Sequence, residues 1–76
     1  MQITAAEILS RRFSRAELDA MKPVSHYRGY DVLYHDDDCE LIFDRVRSIA
    51  AIMVARSDGS RSGRQVFEPI LDYIVR

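Results

Sequence analysis

Tryptophan is absent from this 76-residue chain, cysteine occurs once, and no positive charge falls between Arg28 and Arg45. Each absence excludes something. A single cysteine, Cys39, rules out an intrachain disulfide. Small secreted scaffolds usually rely on such staples, so a reducing cytoplasm is the expected compartment. The longest apolar stretch, from Ile49 to Ala55, is seven residues, far short of the ~20 that a membrane-spanning helix needs. The N-terminus, MQITAAEILSRRF, lacks the basic start and long apolar run of a signal peptide. There are two prolines and three glycines, too few for a low-complexity or collagen-like chain.

What is present suits one small folded domain spanning residues 1–76. Hydrophobic residues make up 47%, which argues against disorder, and four Tyr and three Phe supply the aromatic bulk. A core of this size supplies only ~3–5 kcal/mol of stability. Ten of the eleven basic residues are Arg, with Lys22 the exception. Arginine suits carboxylate and phosphate partners, although a GC-rich coding sequence produces the same bias.

The formal net charge of −1 hides a segregated distribution. Residues 1–30 carry +2, 31–44 carry −6, 45–64 carry +4 and 65–76 carry −1. The acidic block consists of Asp31, Asp36, Asp37, Asp38, Glu40 and Asp44.

The clearest local signal is a repeated helix start. Thr4 and Glu7 have capping-box spacing, with Ile3 and Ile8 placed for a hydrophobic staple. Ser14 and Glu17 repeat the box ten residues later, with Phe13 and Leu18 as the staple. These features predict helices over about 5–12 and 15–22, the second closed by Pro23. Asp37 and Glu40 have the same box spacing, and Ile42, Val46, Ile49, Ala50 and Met53 then recur at helical spacing. A helix over about 38–56 is therefore expected, ended by Ser57-Asp58-Gly59. The segment 57–63, SDGSRSG, reads as a loop. Val66, Phe67, Ile70, Leu71 and Ile74 predict a last helix over about 65–75, with Pro69 in its first turn and Asp72 and Arg76 as an i,i+4 pair.

Residues 24–36 are ambiguous. Tyr30, Val32 and Tyr34 alternate with Asp31 and Leu33, which favours a short extended segment at 29–35. The expected fold is thus a mainly α, compact four-helix domain. The alternative is α+β with a β-hairpin at 29–44. Asp58-Gly59 also admits a hairpin between 49–56 and 64–68.

No pattern announces an enzyme. The acidic run fails as a calcium loop, because Leu41 and Arg47 stand where glycine and a bidentate glutamate are needed. His26, His35 and Cys39 are too few for a structural zinc site, and Cys39 lacks the base and orienting group of a nucleophile. No P-loop spacing accompanies Arg56, Arg61 and Arg64. No cofactor or metal is expected.

Two interaction readings remain. In the first, Asp31, Asp36, Asp37, Asp38, Glu40 and Asp44, with Tyr27 and Tyr30 beside them, dock on a basic surface of a partner protein. A solvated acidic face and helix N-terminus would account for the same acids. Basic surfaces belong most often to proteins that handle nucleic acid. An inhibitor encoded by a phage or mobile element, of the anti-CRISPR or anti-restriction kind, has the right size and charge. In the second reading, Arg11, Arg12, Arg15 and Lys22 make a small nucleic-acid-binding transcriptional regulator. There the string TAAEILSRRFSRAEL is set against a helix-turn-helix, whose turn it fails to match. Glu7, Glu17 and Asp19 would repel phosphate, and the pI of about 6.0 lacks a basic footprint. Homodimerisation is compatible with both, because the acidic and basic segments are complementary.

Overall fold

The computed structural model describes residues 3–57 and 65–76. Two six-residue helices, α1 (Ala5–Ser10) and α2 (Arg15–Ala20), precede five strands. The strands are β1 (Ser25–Tyr27), β2 (Tyr30–His35), β3 (Cys39–Asp44), β4 (Ile49–Ser57) and β5 (Gln65–Ile74). They form one antiparallel meander in sequence order, leaving β1 and β5 as the edges. Among the described residues no helix is long and apolar enough to cross a membrane.

Both helices begin at the caps read from sequence. The Thr4 hydroxyl accepts from the Glu7 amide, and Ser14 and Glu17 close a reciprocal capping box. Ile8, Phe13 and Leu18 are buried in the core, and Ile3 packs against it. The helices end early, at Ser10 and Ala20, and four residues join them.

The four-helix expectation is overturned. The segment 38–56 is β3, a turn at 45–48 and β4 rather than one helix. Its apolar residues obey a period of two. Cys39, Leu41 and Phe43 face the helices with no exposure, while Glu40, Ile42 and Asp44 alternate to the other side. Ile49–Ala55 is apolar at every position because a central strand has two faces to fill, and this mimics helical spacing over short windows. Asp37 is not a helix cap; it lies in the β2–β3 turn. The segment 65–75 is likewise a strand, and Pro69 sits on the sheet edge, where a missing amide disrupts least. Asp72 and Arg76 are therefore about 13 Å apart along an extended chain rather than helical neighbours. The small helical domain gives way to a β-rich domain with two short helices. The extended segment and the alternative hairpin at 29–44 correspond to β2 and β3. The second alternative hairpin corresponds to β4 and β5, and its turn lies outside the described residues.

The helices cover one face of the sheet. Ile8, Phe13, Leu18 and Met21 meet Leu33, Leu41, Phe43, Ala50, Ile52, Tyr73 and Val75 in a single cluster. A bulge between Val32 and Tyr34 puts both Leu33 and Tyr34 on this side. The Tyr73 hydroxyl, buried here, accepts the Phe13 amide at 2.9 Å. Among the described residues no layer covers the opposite face.

Candidate functional site: the open face of the sheet

A groove of about 850 Å³ runs across the uncovered face. Val32, Ile42, Ile49, Ala51, Met53, Phe67 and Pro69 supply its apolar floor. Strand alternation requires this set. Val32 pairs with Ile42, Ile42 with Ala51 and Met53 with Pro69, so all of them point away from the helices. Polar residues stand among them: Tyr27, Arg28 and Tyr30 at the β1–β2 side, His35 and Glu40 on β2 and β3, and Asp72 on β5. The His35 Nδ1 lies 2.9 Å from a Glu40 carboxylate oxygen, and its ring tilts against Phe67 with centroids 5.6 Å apart. The Arg28 guanidinium lies over the Tyr27 ring at 5.3 Å.

The β1–β2 hairpin sets the two tyrosines. Arg28 (φ 50°) and Gly29 (φ 84°) occupy left-handed conformations, as the central pair of a two-residue type I′ turn requires. Tyr27 thus lies directly opposite Tyr30.

The six acids do not form one patch. Asp31 lies on the helix side, where it accepts from Arg45 Nε and sits 2.9 Å from His26 Nδ1. Burial opposes its ionisation, but the bonds from Arg45 and His26 outweigh this and hold its pKa below the usual carboxylate value. Asp36 folds the β2–β3 turn. One of its oxygens accepts the Asp38 and Cys39 amides at 2.7 and 2.8 Å, and the other accepts the Tyr34 hydroxyl at 2.6 Å. The Tyr34 bond, then those amides, lower the Asp36 pKa, and the same contact pushes Tyr34 up to about 12. Asp44, at the other end of β3, accepts the Val46 and Arg47 amides at 3.0 Å each. Asp37 and Asp38 are exposed in the turn. Of the eight residues proposed from sequence for docking, Glu40, Tyr27 and Tyr30 come together in the groove. Asp31, Asp36 and Asp44 are committed to turns and to the sheet–helix junction.

The basic residues of 11–22 are also engaged, except Lys22, which is exposed and has no hydrogen bond or ion pair among the described residues. Arg11 bonds Glu17 at 2.5 and 3.3 Å and covers Phe13. Arg12 lies over Tyr73. Arg15 bonds Asp19, the Arg45 carbonyl and the Ser48 hydroxyl. Arg15 and Arg45 both lie over the Phe43 ring, at 5.1 and 5.2 Å, and Arg45 continues to Asp19 at 2.6 Å. This chain of charges ties α2 to the turn at 45–48 and shields the aromatic core.

Cys39 is buried on the helix side, and burial first, then the Asp36 charge, pushes its thiol pKa up. His35 and Cys39, which would be neighbours on a helix, point to opposite faces. Among the described residues no cluster of three or more His, Cys, Asp or Glu side chains could hold a metal ion. Arg56 pairs with Glu68 at 3.2 Å, while Arg61 and Arg64 lie outside the described residues.

Sequence reasoning missed Phe67, Met53, Pro69 and Asp72. The signal for them was the alternation of polar and apolar residues along β3, carried through the pairing to β4 and β5. Comparison with protein-family models, with curated proteins and with solved structures finds no match.

Proposed function

We propose that the chain is a non-enzymatic binding module whose open sheet face receives a basic, partly apolar segment of a partner protein. The observation that carries this reading is the grouping of Tyr27, Tyr30, Glu40 and Asp72 around an apolar floor. Tyrosines are favoured interface anchors, since they bring large area with few rotatable bonds. The carboxylates of Glu40 and Asp72 outnumber the Arg28 guanidinium, so complementary charge favours a cationic occupant and speeds its association. Val32, Ile42 and Met53 offer apolar contact beneath. Proteins that handle nucleic acid carry basic surfaces. Covering one requires no catalysis, which suits a cytoplasmic inhibitor from a phage or mobile element directed at a CRISPR or restriction complex. A DNA-binding role for 11–22 gains no support, because the Arg11 and Arg15 charges are already paired within the chain.

The test uses a panel of synthetic peptides alternating Arg or Lys with Leu or Ile, measured by fluorescence anisotropy. The paired substitution E40Q/D72N should weaken binding about tenfold, from two partly exposed ion pairs at ~0.2–1 kcal/mol each. Binding of the unmodified protein should fall as salt rises. The control substitution D37N/D38N, in the exposed part of the acidic turn, should bind as the unmodified protein does. Loss of binding in D37N/D38N with retention in E40Q/D72N would move the site to the acidic turn and reject the groove.

A further inference from the structure

His35 and Phe67 touch although their strands are not neighbours. His35 lies on β2 and Phe67 on β5, with β3 and β4 between them. Three inter-strand spacings amount to about 14 Å. The two ring centroids are nevertheless 5.6 Å apart. The side chains therefore lean toward each other over β3 and β4. Glu40 and Met53, a directly opposed pair on those strands, lie in the span between them. The contact bridges one end of the groove.

Local register puts His35 there. Simple alternation from Val32 would send His35 to the helix side. The bulge between Val32 and Tyr34 returns it to the open face, directly opposite Glu40. Its Nδ1 lies 2.9 Å from a Glu40 carboxylate oxygen. The His35 side chain keeps 52% exposure, so it exchanges protons with solvent.

Glu40 is the charge that faces His35 from β3. Strand β4 contributes Ile49, Ala51 and Met53 to the groove, none of them charged. Strand β5 contributes Phe67, Pro69 and Asp72, and the β1–β2 turn contributes Arg28. Asp36, next to His35 in sequence, turns its oxygens to Tyr34 and to the Asp38 and Cys39 amides. Asp37 and Asp38 are exposed in the same turn. His26 also lines the groove, but its Nδ1 lies 2.9 Å from Asp31, which already accepts from Arg45.

Histidine is the side chain whose charge changes between about pH 5 and 8. A neutral imidazole has one N–H donor, whereas an imidazolium has two and a positive charge. Its bond to a carboxylate is then charge-assisted and about twice as strong as a neutral one. Protonation of His35 would also leave the Glu40 and Asp72 carboxylates matched by Arg28 and His35. We propose that His35 and Phe67 form a pH-operated latch across one end of the groove: neutral His35 leaves the Glu40 carboxylate to a cationic occupant, and protonated His35 claims it. The latch rests on the reading of the groove as the site of a basic segment, and it adds that site's regulation. The occupant is held at neutral pH and released in mild acid.

The test measures anisotropy of a peptide of alternating Lys and Leu with blocked ends, which titrates nothing in this range, against the full chain. From about pH 7.5 to about pH 5.5 the dissociation constant should rise about three- to fivefold, the strength of one partly exposed charge pair. His35→Asn keeps an N–H against Glu40 but does not titrate, and it should abolish the rise. His26→Asn should keep it. In the free chain, the NMR signals of the Phe67 ring should shift with the titration of His35. Phe67 signals that ignore that titration overturn the latch, whatever the peptide does. Equal affinity at the two pH values overturns it and leaves the groove reading standing. A rise that survives His35→Asn, or that His26→Asn removes, overturns it too. Absence of peptide binding at both pH values, with the Phe67 shift intact, overturns the groove reading and with it the latch's role as regulator.

Discussion

Two residues show how local chemistry sets measurable properties. Glu17 accepts from Arg11 and from the Ser14 amide, and these bonds, in that order, lower its pKa from 4.5 to about 2. A depressed carboxylate stabilises the fold above its unfolded pKa and loses that contribution as pH falls through the folded value. Stability should therefore decline between about pH 4.5 and pH 2, reinforced by Asp31 and Asp36, whose pKa values are also lowered. In Glu17→Gln, acid titration followed by circular dichroism should show a shallower decline across that window. Arg28 holds φ at 50°, where a side chain other than Gly, Asn or Asp is disfavoured by ~1–2 kcal/mol. Arg28→Asn should raise stability by about 0.5–1 kcal/mol and raise the melting temperature. An unchanged or lower melting temperature would mean that the Arg28–Tyr27 stacking contact outweighs the backbone term.

At the level of elements, the helices work as a lid on a sheet that cannot bury its own face. Leu18 is fully buried among strand residues. Leu18→Ala should cost ~2–5 kcal/mol. A domain of this size has only ~3–5 kcal/mol to lose, so urea denaturation should find the variant partly unfolded in water. Helix starts were legible because capping is local: Thr4, Ser14 and Glu17 act within one turn of themselves. The strands were less legible. Cys39–Asp44 alternates cleanly, but a capping-box spacing and the helical recurrence of Ile42, Val46, Ile49, Ala50 and Met53 favour a helix across the same stretch. Pairing between β3 and β4 outweighs that propensity, because burial against neighbours decides a central strand. Pro69 fits a helix first turn and a sheet edge equally well, and only the strand order distinguishes them.

For the whole molecule, one sheet face is covered and the other is open, and the elongated outline of 42 × 25 × 20 Å reflects this layering.

The sequence alone determined the helix starts, the lack of disulfides, the segregation of charge and the presence of Tyr27, Tyr30 and Glu40 near one another. These depend on residue type and on neighbours a few positions away. Only the tertiary structure decided which acids lie on the open face of the sheet. Asp31 is drawn to Arg45, Asp36 and Asp44 fold turns, and Glu40 joins Asp72 on the open face through strand pairing that spans more than thirty residues. Charge counted along a chain does not reveal which side of a strand a carboxylate occupies. A strand alternates sides at every residue, and pairing with its neighbours decides which side is covered.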